Sequence, residues 1–115
     1  MTVRMTRSIS WIGAARKEFE RFPRDAQDVV FDALTVAADG GMAHIAKPMK
    51  GLGSGVFEVA LKYRRNAYRT VYVLQIDERL WVVHAFQKKS TQGIKTPRHE
   101  IDLIKDRLKE LRRLR

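Results

Sequence analysis

The chain has 115 residues, of which 44% are hydrophobic and 31% charged, and its formal net charge is +10 with a sequence pI near 10.4. We predict a single domain over residues 1–115, because this length supports one core and the composition excludes a disordered chain. No apolar run reaches the roughly 18–20 residues of a membrane-spanning helix. The absence of cysteine excludes disulfides and thiolate metal sites. The excess of lysine and arginine favours a polyanionic partner, either nucleic acid or an acidic protein.

The first third of the chain predicts one strand and two helices. Residues 7–12 alternate between polar and apolar side chains, which is typical of a short strand. Apolar residues recur every three or four positions over 14–22 and again over 25–38, and this spacing predicts two amphipathic helices joined at Pro23. The two glycines after Asp39 end the second helix, because glycine readily adopts the left-handed conformation that follows helix C-termini.

The rest of the chain predicts three strands and a helix. After a glycine-rich linker over 44–55, strand patterns cover 56–63, 67–76 and 80–87. Short polar connections between the three strands predict antiparallel hairpins. A last helix, with an apolar stripe on one side, then begins with Thr96 as its N-cap and Pro97 at its first helical position. The predicted fold class is therefore α+β in the order β-α-α-β-β-β-α, with an antiparallel sheet packed on an N-terminal helical hairpin and a C-terminal helix.

Basic side chains inside the predicted sheet are the first candidates for function. The sequence has no thiol nucleophile, no metal-ligand spacing and no paired carboxylates, so we predict neither a metal nor a cofactor. Arg69 lies in the central strand, where an unpaired guanidinium costs several kcal/mol to bury. Either Glu58 on a neighbouring strand pairs with it, or Arg69 faces a groove and binds a phosphate through two parallel hydrogen bonds.

Further basic and aromatic residues are predicted to surround the same groove. Lys88 and Lys89 lie where the last strand ends, and we expect only one of them to face the groove because strand side chains alternate. Four more side chains are candidate nucleic-acid contacts: Lys47, Lys50, Lys62 and Tyr68. The alternative for these four is ordinary surface lysines and a tyrosine packed in the core.

The most specific sequence signal is a set of short motifs spread over nearly the whole chain. They are KPMKGL at 47–52, VFE at 56–58, YRTVY at 68–72, and HAFQKKS at 84–90 followed by TP. With the element order, these motifs resemble the phage-derived Gp49-like, HigB-type branch of the RelE/ParE toxin superfamily. The resemblance implies the toxin of a type II toxin–antitoxin module, many of which are ribosome-dependent endoribonucleases that cut mRNA.

The same resemblance implies the partners of the protein. These partners are mRNA on the ribosome and a small antitoxin, which in this branch is usually a helix-turn-helix protein and forms a hetero-oligomer with its toxin. We expect a cytoplasmic protein with no membrane partner, since the N-terminus has no apolar segment of the kind found in signal peptides.

The resemblance also implies roles for individual residues. Arg69 falls where RelE-like toxins place an arginine that contacts the scissile phosphate, and Lys88 and Lys89 fall at their basic pair. A tyrosine that some relatives carry shortly after this pair is absent here, so the general base stays open. A lysine, His84 or His99 is a candidate for proton exchange. The alternative is that His84 packs in the core and His99 is a plain surface residue.

Two other functions are consistent with the same superfamily. One is a ParE-like protein that poisons DNA gyrase without cleaving nucleic acid, and the other is an inactive relative that only binds RNA or its antitoxin. Arg69, Lys88 and Lys89 favour the endoribonuclease, because a gyrase inhibitor does not need them as a cleavage site.

Overall fold

The computed structural model of the protein describes residues 6–89 and 95–115. Within them the helices are α1 (Gly13–Glu20), α2 (Arg24–Ala38) and α3 (Arg98–Arg113). The strands are β1 (Ile9–Trp11), β2 (Ala46–Pro48), β3 (Val56–Tyr63), β4 (Asn66–Ile76) and β5 (Arg79–Lys89). In these ranges no helix combines the length and the apolar character needed to cross a lipid bilayer.

The five strands form one sheet in the order β1-β5-β4-β3-β2. Strands β2 to β5 pair antiparallel, whereas β1 runs parallel to β5 with Trp11 opposite Val82. The predicted α+β class, with its helical hairpin and C-terminal helix, is confirmed. Two details differ: the sheet is mixed, and the predicted linker contains the edge strand β2. Strand β2 has the sequence Ala-Lys-Pro and ends in a proline that precedes three closely spaced glycines, a composition typical of a loop and not of a strand.

Strand β4 is central and buried on both faces, which divides the core into two parts. Tyr72 belongs to the part that packs against α1 and α2, while Val71 and Val73 belong to the part under α3. Simple alternation along β4 would place Ile76 on the same face as Tyr72, but Ile76 lies in the core under α3. The cause is a register irregularity between Val73 and Ile76, which breaks the simple alternation of side chains.

The two-residue turns that join β3 to β4 and β4 to β5 use left-handed backbone conformations without glycine. Arg64 and Arg65, between β3 and β4, have φ of 49° and 70°. Asp77 and Glu78, between β4 and β5, both have φ of 55°. Two successive positive φ values are typical of type I′ turns, whose twist matches that of the flanking strands. The predicted hairpins therefore form, although the usual Asn-Gly signal is missing.

Candidate functional site

The arginine predicted to bind phosphate lies on the α3 face of the sheet and is buried. Arg69 is 6% exposed, and its Nη1 donates a hydrogen bond to Oε1 of Glu58 at 2.9 Å. Oε2 of Glu58 accepts a hydrogen bond from the Thr96 hydroxyl at 2.6 Å. Of the two alternatives for Arg69, the structure thus shows the ion pair with Glu58. It also corrects the predicted role of Thr96, whose side chain bonds to Glu58 instead of capping α3, which begins at Arg98.

The basic pair at the end of β5 includes one buried lysine. Lys88 is 9% exposed, and its Nζ donates to the backbone carbonyl of Lys95 at 2.5 Å. This bond holds the segment that leads into α3. Lys88 lies opposite Ala67 in the sheet, two residues from Arg69, so Lys88 and Arg69 share one face. The side chain of Lys89 lies outside the part of the chain that the structure describes.

A cleft of about 310 Å³ opens beside this ion pair, between β2, β3 and the start of α3. We call it the lysine cleft, and its charged lining residues are Lys47, Lys50, Lys95 and Glu58. Lys47 lies directly opposite Glu58 in the pairing of β2 with β3, so both side chains are on the same face. The three lysines are exposed, whereas Glu58 is buried. The cleft therefore presents mainly positive charge to solvent, which suits a phosphate chain.

Two predicted RNA contacts lie away from the lysine cleft. Lys62 is exposed on the same face of β3 as Glu58, beyond the part of β3 that pairs with β2. Tyr68 is 3% exposed on the opposite face, with its ring centroid 4.8 Å from that of Phe22. This burial leaves no ring face for a base, so Tyr68 is a core residue, as the alternative interpretation held.

A second group of charged residues surrounds His84 on β5. His84 is 1% exposed, with Nε2 2.7 Å from Oε1 of Glu100 and Nδ1 2.8 Å from Nη1 of Arg107. Arg107 also donates to both carboxylate oxygens of Glu18, at 2.8 and 2.9 Å, and to the carbonyl of Val83 at 3.1 Å. We call Glu18, His84, Glu100 and Arg107 the histidine cluster. It connects α1, β5 and α3, and therefore has an evident structural role.

The histidine cluster also supplies a hydrogen-bond partner for the part of β5 that does not pair with β1. Strand β1 pairs only as far as Val82, and beyond it the amide of Ala85 donates to Oε1 of Glu18 at 3.2 Å. Burial favours the neutral form of Glu18, but hydrogen bonds from Arg107 and Ala85, together with the charge of Arg107, outweigh burial. The pKa of the Glu18 carboxyl is consequently lowered from its ordinary value.

The second candidate histidine is much more accessible than His84. The side chain of His99 is 79% exposed in the first turn of α3, with Nε2 3.3 Å from Oε2 of Glu100. Glu100 therefore contacts both histidines and also lines a second cleft of about 310 Å³. The sequence offered no signal for Glu18, Glu100 or Arg107, which belong to no motif. Among residues 6–89 and 95–115, no group of His, Asp and Glu is arranged to hold a metal ion.

Comparison with known proteins places this chain in a family. The profile of the family "Phage derived protein Gp49-like (DUF891)" matches residues 17–109, which is most of the chain. The chain therefore belongs to the Gp49-like family, and the predicted resemblance is confirmed. No curated protein sequence matches it significantly.

Two solved toxin structures are similar to this fold. One is the E. coli toxin RelE in the free state, with two arginines replaced by alanine: its TM-score is 0.63 and its identity 16%, over 92% of this chain and 98% of that one. The other is the toxin–antitoxin complex RelBE2 from Mycobacterium tuberculosis, with a TM-score of 0.49 and 15% identity over 77% of this chain and 99% of that one. At this level of identity, the likeness to RelE shows a shared fold.

Proposed function

We propose that the protein is the toxin of a type II toxin–antitoxin module and acts as a ribosome-dependent mRNA endoribonuclease that inhibits translation. Membership of the Gp49-like family and the RelE-like fold support the toxin class. The observation that carries the nuclease assignment is the lysine cleft, where three exposed lysines lie beside the Arg69–Glu58 pair. Such a toxin acts in the cytoplasm, where ribosomes are found, and its partner there is a small helix-turn-helix antitoxin in a hetero-oligomer.

The lysine cleft has the charge that this reaction needs. In the proposed cleavage, the ribose 2′-oxygen bonds to phosphorus and the bond from phosphorus to the 5′-oxygen breaks, which leaves a cyclic phosphate and a 5′-hydroxyl. The intermediate phosphorane carries extra negative charge, and fixed positive charges stabilise it by a few kcal/mol. We assign this stabilisation to Lys47 and Lys50. A lysine of the cleft or His99 accepts the proton of the 2′-hydroxyl, and a protonated group of the same set donates the proton that the leaving 5′-oxygen takes up.

The buried candidate residues support the cleft from beneath in this proposal. Arg69 holds the Glu58 carboxylate in place. Arg69 binds a phosphate directly only when that phosphate displaces the Glu58 carboxylate from the guanidinium. Lys88 positions Lys95 through the backbone carbonyl of that residue. Lys62 and Lys89 add positive charge near the ends of their strands. His84 orients Glu100, which in turn contacts the exposed His99.

One observation favours a function without cleavage. Arg69 and His84, two of the predicted catalytic residues, are both buried and in contact with carboxylates. A ParE-like gyrase inhibitor, or a relative that only binds RNA or its antitoxin, needs neither side chain to reach a phosphate. These functions are therefore the alternatives that the experiment has to exclude.

Two assays with the purified protein separate these functions. In the first, ribosomes translate a defined mRNA with and without the protein, and primer extension maps new 5′ ends. In the second, purified gyrase supercoils a plasmid in the presence of the protein. The proposal expects new 5′ ends that require ribosomes, and full gyrase activity. Gyrase inhibition without new ends would establish the ParE-like alternative, and neither effect would leave only a binding function.

A further inference from the structure

The segment that follows Arg24, the first residue of α2, differs in charge from the rest of the chain. Residues 25–46 contain four aspartates and no lysine or arginine, although lysine and arginine make up 23 of the 115 residues. Four of the exposed large apolar side chains are also in this segment, each 42–53% exposed: Val29, Phe31, Val36 and Met42. Acidic and apolar groups are thus concentrated on one region of an otherwise basic protein.

The outward side of α2 combines these groups in one surface. We call it the α2 surface, and its members are Asp28, Val29, Phe31, Asp32 and Val36. Val29, Asp32 and Val36 are spaced three and four residues apart, so they follow one another along the helix. A shallow groove of about 330 Å³ lies alongside, lined by Phe19 of α1 and by five residues of α2: Arg24, Gln27, Asp28, Phe31 and Asp32. The core needs none of the exposed side chains, because α2 packs inward through a separate buried stripe.

The aspartates of the α2 surface are accessible to a partner. Asp28 approaches Arg24 at 3.6 Å, but both side chains are largely exposed, and such pairs contribute little. The negative charge of these aspartates repels a phosphate chain, so nucleic acid is a poor occupant. The complementary occupant carries lysine or arginine beside apolar side chains.

A second copy of the chain does not fit this surface well. A two-fold contact between two α2 surfaces would place Asp28 and Asp32 against the same residues of the partner copy, where like charges repel. A contact between the α2 surface and a basic surface elsewhere on another copy would be heterologous, and contacts of that kind form rings or open chains. A different protein with a basic, amphipathic helix satisfies both the charge and the apolar groove.

We infer that the α2 surface is the docking site for the antitoxin of the proposed module. A helix of the antitoxin places apolar side chains in the groove beside Phe31, and its lysine or arginine side chains pair with Asp28 and Asp32. The identity of this partner rests on the proposed function. The α2 surface and the lysine cleft lie on opposite sides of the sheet, because α2 packs on one face and α3 on the other.

Titration calorimetry with the purified product of the adjacent reading frame tests this inference. We expect the variant Asp28→Lys/Asp32→Lys to weaken binding on the order of 100-fold, because two attractive charge pairs become repulsive. Phe31→Ala should also weaken binding, through loss of the apolar anchor. The matched control Asp102→Lys/Asp106→Lys reverses two exposed aspartates on α3 and should change Kd by less than about threefold.

The outcomes separate the docking surface from the nuclease. Equal Kd values for the α2 variant and wild type would overturn the inference, as would no binding by the wild-type protein or equal weakening by the α3 control. The uncomplexed α2 variant should cleave mRNA on ribosomes as wild type does. If wild type cleaves nothing but the α2 variant alone loses binding, the docking surface stands and the nuclease proposal fails.

Discussion

Glu58 and Arg69, on neighbouring strands, form a buried ion pair in which Arg69 Nη1 lies 2.9 Å from Glu58 Oε1. Their side chains are only 2% and 7% exposed, respectively. The second oxygen of Glu58 is bonded to Thr96 in the segment before α3. The pair therefore joins the central sheet to the start of the last helix, directly beside the lysine cleft.

Replacing Glu58 by alanine should destabilise the fold strongly. The change leaves the Arg69 charge buried without this carboxylate, and removing one member of a buried pair typically costs about 3–5 kcal/mol. Urea denaturation measures the loss in the free energy of unfolding. Glu110→Ala removes an exposed pair with Arg113 and is the matched control, for which we expect a much smaller loss. Similar losses in the two variants would contradict a buried pair.

Glu18 should make the stability of the protein sensitive to acid. Its pKa is lower in the folded state than its ordinary value, so its charge stabilises the fold at neutral pH. That contribution is lost as the pH falls below the ordinary pKa of 4.5 and through the lower folded value. We expect the free energy of unfolding to fall less steeply with acidification in Glu18→Gln than in wild type. The control Glu20→Gln, at an exposed position of α1, should show the wild-type dependence of the unfolding free energy on pH. The same dependence in Glu18→Gln would contradict a lowered pKa of Glu18 in the folded state.

Tyr72 should make the fold sensitive to alkali. Burial raises the pKa of its phenol to about 12, because the charged tyrosinate is poorly solvated in the core. The unfolded chain ionises near the ordinary value of 10.0, so stability is lost as the pH rises from there towards 12. Denaturation at increasing pH should show a smaller alkaline loss for Tyr72→Phe. A tyrosinate signal from Tyr72 near its ordinary pKa, in protein that is still folded, would show that this ring is not buried.

The turn between β4 and β5 should be improved by glycine. Glu78 has φ of 55°, a conformation that costs most residues with a side chain about 1–2 kcal/mol and glycine almost nothing. We expect Glu78→Gly to raise the free energy of unfolding by up to about 1 kcal/mol, measured by thermal and urea denaturation. Glycine at Lys105, an exposed position inside α3, is the control and should destabilise the protein. A loss of stability in Glu78→Gly would argue against a type I′ turn.

The sequence predicted the elements better than it predicted the site. Alternation and helical spacing are local properties, and they located β3, β4 and both N-terminal helices closely. The sequence left open whether Arg69 pairs with Glu58 or faces a groove and binds phosphate. The order of the strands brings the two side chains together, but it does not reveal which residues pack over them and bury them. The covering residue, Thr96, is 38 positions from Glu58, and Arg107 is 89 positions from Glu18. Contacts over such distances depend on where α3 packs, which no short spacing reveals.

The central claim is that the lysine cleft is the RNA-cleaving site, and ribosome-dependent cleavage by a matched pair of variants tests it most directly. Lys47→Ala/Lys50→Ala removes two exposed lysines from the cleft, and Lys105→Ala/Lys109→Ala removes two exposed lysines from α3. We predict that the cleft variant forms new 5′ ends at least about 100-fold more slowly than wild type. The α3 variant, with the same net charge, should cleave at the wild-type rate. Equal rates for the two variants, or no new 5′ ends with wild type, would contradict the claim.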